Sequence, residues 1–72
     1  MKTATVRQWR RVSWTALPTG QRVRLSQHGL PLGAGVVDGT TPDGSIIWVV
    51  FDGWRERRMF LREDYVQVEI SA

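Results

Sequence analysis

The run Ser45-Ile-Ile-Trp-Val-Val-Phe51 constrains this chain more than any other feature. β-Branched and aromatic residues dominate it, and they favour the extended backbone of a pleated strand. A half-buried strand alternates apolar and polar residues, because successive side chains point to opposite faces. Here both sets are apolar: Ile47, Val49 and Phe51 on one face, Ile46, Trp48 and Val50 on the other. Such a strand needs cover on both faces. The interior of a small barrel would supply one cover. The N-terminal segment or a second subunit would supply the other.

Turn signals divide the rest of the chain into short strands. Pro18-Thr19-Gly20, Gly39 to Gly44 with Pro42 and Asp43-Gly44, and Asp52-Gly53 each mark a reversal, the last as a tight hairpin. Residues 21–25 alternate Val23 and Leu25 with Arg22 and Arg24, and residues 66–70 alternate Val66, Val68 and Ile70 with Gln67 and Glu69. Val36-Val37 begins another strand, and residues 55–61 form the return from the hairpin. Residues 26–35, with three glycines and Pro31, read as a loop in which Leu30 and Leu32 tuck under as a lid. Arg62-Glu63-Asp64-Tyr65 reads as one 3₁₀ turn. Five strands in about 50 residues predict an all-β chain folded as a small, strongly bent antiparallel barrel. Keeping one face of each strand inward gives a core of Val23, Leu25, Val36, Ile47, Val49, Phe51, Met59, Tyr65, Val66 and Val68.

Residues 1–17 are read as a basic arm or covering segment, and residues 18–72 as the barrel. Thr5 with Gln8 fits a capping box for a short helix over 6–12, so the arm is helical or irregular to about residue 11. An extended stretch then runs to Leu17. With 72 residues there is room for one domain only.

Composition removes several function classes. There is no cysteine, and His28 is the only histidine, which excludes disulfides, Cys-based zinc and multi-His metal sites. Asp38, Asp43 and Asp52 each precede a glycine, which is turn chemistry. Gly33-Ala34-Gly35 lacks the Lys of a phosphate loop. The expectation is a chain with no catalytic residues, no cofactor and no metal. No apolar run approaches the ~18 residues of a membrane span, and the N-terminus has no apolar segment of the secretory kind. A cytoplasmic protein without membrane contact is expected.

The closing segment Phe60-Leu-Arg-Glu-Asp-Tyr-Val66 resembles the end of an SH3 domain, where a 3₁₀ turn precedes a Tyr-Val pair. Gly20-Gln-Arg-Val-Arg-Leu25 is similar to the first strand of KOW and Tudor-like barrels. Phe51-Asp-Gly-Trp54 is similar to a hairpin of the MBT and chromo-barrel members of the Tudor group. The chain as a whole also resembles short proteins of actinobacteria and their phages. Together these imply a five-stranded SH3-like barrel over about residues 18–70. KOW-type relatives imply contact with RNA or with ribosomal and transcription proteins. A Tudor-type cage for methylated Lys or Arg would draw on Trp48, Phe51, Trp54, Phe60, Tyr65 and Asp52, but Arg57 and Arg58 would repel a cation.

Charge and tryptophan supply the candidate site. Residues 1–24 carry six basic groups and no acid, residues 25–54 carry three acids and no base, and residues 55–72 balance. Four tryptophans are more than a core this small needs. Trp9 and Trp14 lie among Arg7, Arg10 and Arg11, and Trp54 is followed by Arg55, Arg57 and Arg58. Arg interleaved with Trp suits nucleic acid, through phosphate contact and base stacking. It equally suits a protein contact on an acidic surface, because Trp and Arg are the enriched hot-spot types. A purely structural role is the third reading, with Trp9 and Trp14 covering the second face of strand 45–51. The leading expectation is a small non-catalytic module that contacts nucleic acid or a nucleic-acid-associated protein. The alternative is a protein-interaction module, and homo-oligomerisation through the doubly apolar strand is compatible with both. A continuous basic stripe would favour nucleic acid, and a Trp-centred apolar patch rimmed by Arg would favour protein.

Overall fold

Alternation of Val23 and Leu25 with arginines, and of Val66 and Val68 with Gln67 and Glu69, resolves into strands packed on one core. The computed structural model describes residues 8–53 and 55–71. Six strands are present: β1 (Trp9–Arg11), β2 (Arg22–Gln27), β3 (Leu30–Thr40), β4 (Ile46–Phe51), β5 (Arg57–Leu61) and β6 (Val66–Ser71). They form one antiparallel sheet in the order β1-β6-β2-β3-β4-β5, which does not close on itself. 3₁₀ turns occupy Trp14–Ala16 and Arg62–Asp64. The all-β expectation holds, with six strands in place of five. The added strand is β1, which lies where a helical or irregular arm was expected. Its Trp9, Arg10 and Arg11 pair with Ser71, Ile70 and Glu69.

The inner face is a single apolar cluster. Val23 and Leu25 of β2, Val37 of β3, Ile47, Val49 and Phe51 of β4, Phe60 of β5, and Val66 and Val68 of β6 are all buried. Phe51 and Phe60 meet edge to face, with centroids 6.0 Å apart. Trp14 and Leu17 complete the core, and Val12, Leu32 and Ile70 pack against it. Trp14 reaches it because the chain leaves β1 through a turn rather than an extended run. The Val12 amide donates to the Val68 carbonyl at 3.0 Å, and Ser13 Oγ accepts from the Thr15 amide at 3.3 Å.

Three expected core residues are corrected. Val36 gives way to Val37, because pairing of Val37 with Val49 sets the inward parity of β3. Met59 gives way to Phe60, which lies opposite buried Ile47; Met59 is 54% exposed. Tyr65 is 73% exposed, because it leaves the second 3₁₀ turn in the left-handed region at φ 59° and its side chain swings outward. It stands beside His28 of the β2–β3 turn, with ring centroids 6.2 Å apart.

The expected loop at 26–35 is mostly strand. His28 (φ 52°) and Gly29 (φ 80°) turn the chain, and β3 then runs for 11 residues from Leu30. Leu30 is 68% exposed and forms no lid. The glycines allow close packing rather than a loop: a Cβ on Gly35 would overlap the Val50 carbonyl oxygen, so only glycine lets β3 approach β4 there. The β4–β5 hairpin is also wider than a two-residue turn. The Phe51 amide donates to the Glu56 carbonyl and the Arg55 amide to the Phe51 carbonyl, each at 3.0 Å.

Two glycines on β3 give opposite expectations. Gly35→Ala should lower stability by about 3 kcal/mol or more, because the clash is with backbone. Gly39→Ala should change it by less than about 0.5 kcal/mol, since its Cβ would meet only the Trp48 ring, at an ordinary 3.7 Å. Equal midpoints in chemical denaturation would contradict the β3–β4 packing. Trp14→Ala should cost about 3–5 kcal/mol in the same assay, as loss of a buried aromatic does.

Candidate functional site

The outer face of β3, β4 and β5 is apolar where a solvated sheet face would be polar. Side chains directly opposite on paired strands share a face. Val36 lies opposite Val50, and Val50 opposite Arg57. Gly39 lies opposite Trp48, and Trp48 opposite Met59; Ile46 lies opposite Leu61. Val36, Ile46, Trp48, Val50 and Leu61 are partly buried, and Met59 is exposed. The Trp48 ring rests over Gly39, 3.7 Å from where a Cβ would be.

Ion pairs rim this patch. The row Arg22–Val36–Val50–Arg57 crosses β2 to β5 with an arginine at each end. Arg22 donates twice to Asp52, at 2.9 and 2.6 Å. Arg57 Nε donates to Asp38 at 2.6 Å, and its guanidinium lies 5.4 Å from the Trp48 ring centroid. Asp38 occupies the irregularity between Val37 and Gly39, where β3 carries an extra residue relative to β4. The hydrogen bonds from Arg22 hold the Asp52 carboxyl below the usual carboxylate range, against a smaller opposing effect of desolvation. The same bonds raise Arg22 above its ordinary value. All four groups are about half exposed, so the rim is hydrated and carries equal charge of both signs.

The predicted site residues do not converge. Arg7 and Trp54 lie outside the described residues. Trp14 is corrected from a contact residue to a core residue, 7% exposed. Arg10 and Arg11, adjacent on β1, point to opposite faces. Arg57 and Arg58 are likewise split: Arg57 joins the outer rim, while Arg58 sits 5.2 Å from the Phe60 ring on the core side. Arg55 is exposed in the β4–β5 hairpin at φ 59°. Trp9 is partly buried on the outer face at the far side of the sheet. There Arg24 stacks on its ring at 4.7 Å and also binds Glu69 at 2.8 Å. The cage aromatics are dispersed too, with Phe51 and Phe60 in the core and Tyr65 at the second 3₁₀ turn.

Three of the eight described arginines, Arg22, Arg24 and Arg57, are bound to carboxylates. Among the described residues no continuous basic stripe results. Residues missed in the sequence are those of the outer patch: Val36, Ile46, Trp48, Val50, Met59 and Leu61. Their signal is the doubly apolar strand, whose second face the sequence leaves to either the N-terminal segment or a second subunit. The described part of that segment goes elsewhere: β1 pairs with β6, and Val12, Trp14 and Leu17 pack in the core. The described residues form no pocket, so what this face offers is a surface and not a cleft. Compared with protein-family models, curated proteins and solved structures, the chain matches none.

Arg22→Gln should raise the Asp52 titration midpoint toward the ordinary carboxylate value, followed by carboxyl chemical shift against pH. The stability that the depressed carboxyl contributes is complete above the ordinary carboxylate pKa. It is lost as pH falls through the lower folded value. The variant should lose that acid-limb dependence, and an unchanged Asp52 midpoint would contradict the pair.

Proposed function

We propose that this chain is a non-catalytic protein-binding module on a small SH3-like barrel, and that its contact surface is the outer face of β3–β5 centred on Trp48. The barrel reading is supported by the consecutive meander β2 to β5, by the pairing of β2 with β6, and by the 3₁₀ turn just before β6. The single observation that carries the functional reading is the apolar patch around Trp48, bordered by neutralised Arg–Asp pairs. A large aromatic beside an exposed Met, ringed by hydrated polar groups, is the arrangement in which truncation costs a protein interface most. Solvent alone leaves such a patch unexplained.

Charge favours protein over nucleic acid. The full chain carries ten basic groups and seven acids, a balance of only 10 − 7 = +3. Phosphate recognition draws its affinity from unneutralised cations, and three of the arginines face carboxylates at 2.6–2.8 Å. The protein-interaction alternative of the sequence reading is therefore the one advanced.

Two measurements test it. At ~50 mM salt, where phosphate contacts are strongest, the full chain should shift neither single- nor double-stranded nucleic acid of mixed sequence. Affinity capture from a lysate of the source cells should retain a protein after nuclease treatment and lose it with Met59→Glu, which buries a charge in the contact. A sequence-independent shift abolished by changing both Arg10 and Arg11 to Glu would replace this reading with the nucleic-acid one.

A further inference from the structure

We infer that the occupant of the Trp48 face is a second copy of this chain, packed face to face by a twofold axis; the inference rests on the protein-contact reading above and names its partner. A twofold interface brings one patch against itself, so the patch must tolerate its own charge. This one does. Arg22, Asp52, Arg57 and Asp38 sum to zero, and each ion pair presents both signs at the rim. Under a twofold axis, an arginine at one patch's rim can meet an aspartate of the other without net repulsion. A strongly acidic or basic partner would gain nothing from this rim. The arginines without a carboxylate partner among the described residues, Arg10, Arg11, Arg55, Arg58 and Arg62, lie on β1, on β5, in the β4–β5 hairpin and in the second 3₁₀ turn, outside the six-residue patch.

The apolar surface is also of a kind that stacks on itself. Two sheet faces pack about 10 Å apart through interdigitating side chains. Here Val36, Val50, Ile46 and Leu61 provide low relief around the larger Trp48 and Met59. Gly39 leaves a shallow gap beside Trp48, and a Cβ there would meet nothing nearer than 3.7 Å. A chain of 72 residues has a small core, and association is a common route by which such domains gain burial. The three strands span roughly 14 Å by 17–20 Å. That is less than the ~800 Å² per partner of a standard interface, so the dimer is expected to be weak.

Sedimentation equilibrium of the full chain from ~1 µM to ~1 mM tests this directly. The weight-average mass should rise from 8.2 kDa toward twice that value. Met59→Glu should hold the mass at the monomer value at every concentration, and Leu30→Glu, an exposed Leu on the far end of β3, should leave dimerisation within twofold of the parent. Circular dichroism of both variants verifies that each remains folded. A parent that stays monomeric throughout overturns the inference; if Met59→Glu still removes a captured protein, the protein-contact reading survives with a different partner. A dimer that persists in Met59→Glu, or dissociates in Leu30→Glu, overturns the inference by placing the contact on another face.

Discussion

Strand β4 is apolar on both faces, and the described residues fully bury only one of them. Ile47, Val49 and Phe51 turn inward and are at most 3% exposed, and every other strand except β1 places at least one residue against that side. Ile46, Trp48 and Val50 turn outward onto a surface shared with Val36, Met59 and Leu61. The described N-terminal segment, the nearest candidate for a second cover, plugs the core with Trp14 and Leu17 and extends the opposite edge of the sheet. What remains among the described residues is an apolar face with the guanidinium of Arg57 above Trp48. The functional reading follows from this imbalance.

The close approach of β3 to β4 depends on glycine. Gly35 allows the backbone contact with Val50, and Gly33 leaves room for the Phe51 ring at 3.1 Å from where a Cβ would be. The irregularity after Val37 then releases Asp38 toward Arg57 and returns Gly39 to a position beneath Trp48. Packing on the inner face of the sheet and polarity on its outer face are thus coupled through a few residues of one strand. The β3–β4 connection is tied down separately. Thr41 Oγ1 accepts from the Ser45 and Ile46 amides at 3.1 and 3.0 Å, and Asp43 accepts from Ser45 and Thr41. Those bonds hold the Asp43 carboxyl below its usual range.

Much of this architecture was legible where a period could be counted. Residues 45–51, 21–25 and 66–70 are long enough for alternation to declare both strand and inward face, and their core residues are those observed. Val36-Val37 and Met59-Phe60 are pairs of adjacent hydrophobes in short or charged segments, where parity depends on the partner strand's register. The glycines of 26–35 carry two meanings, turn and close approach, and only the neighbouring backbone decides between them. Trp14 was misplaced because an alternating Val12, Trp14, Ala16 fits an extended cover as well as a turn into the core. The rim pairs were illegible for a simpler reason: Arg22 and Asp52 are 30 positions apart, and Arg57 and Asp38 are 19. Counting arginines in sequence therefore overstated the free positive charge.

The central claim is that one face of β4 is buried within a single chain and the other is left for a partner. Broadening of methyl resonances by an inert nitroxide cosolute reads this residue by residue. In dilute solution the Val36, Val50 and Met59 methyls should broaden strongly while those of Val37, Val49 and Ile47 stay sharp. On raising the protein concentration the outer set should become protected and the inner set should not change. Outer methyls as protected as the inner ones in dilute solution would show that the chain covers its own Trp48 face, and would contradict the account.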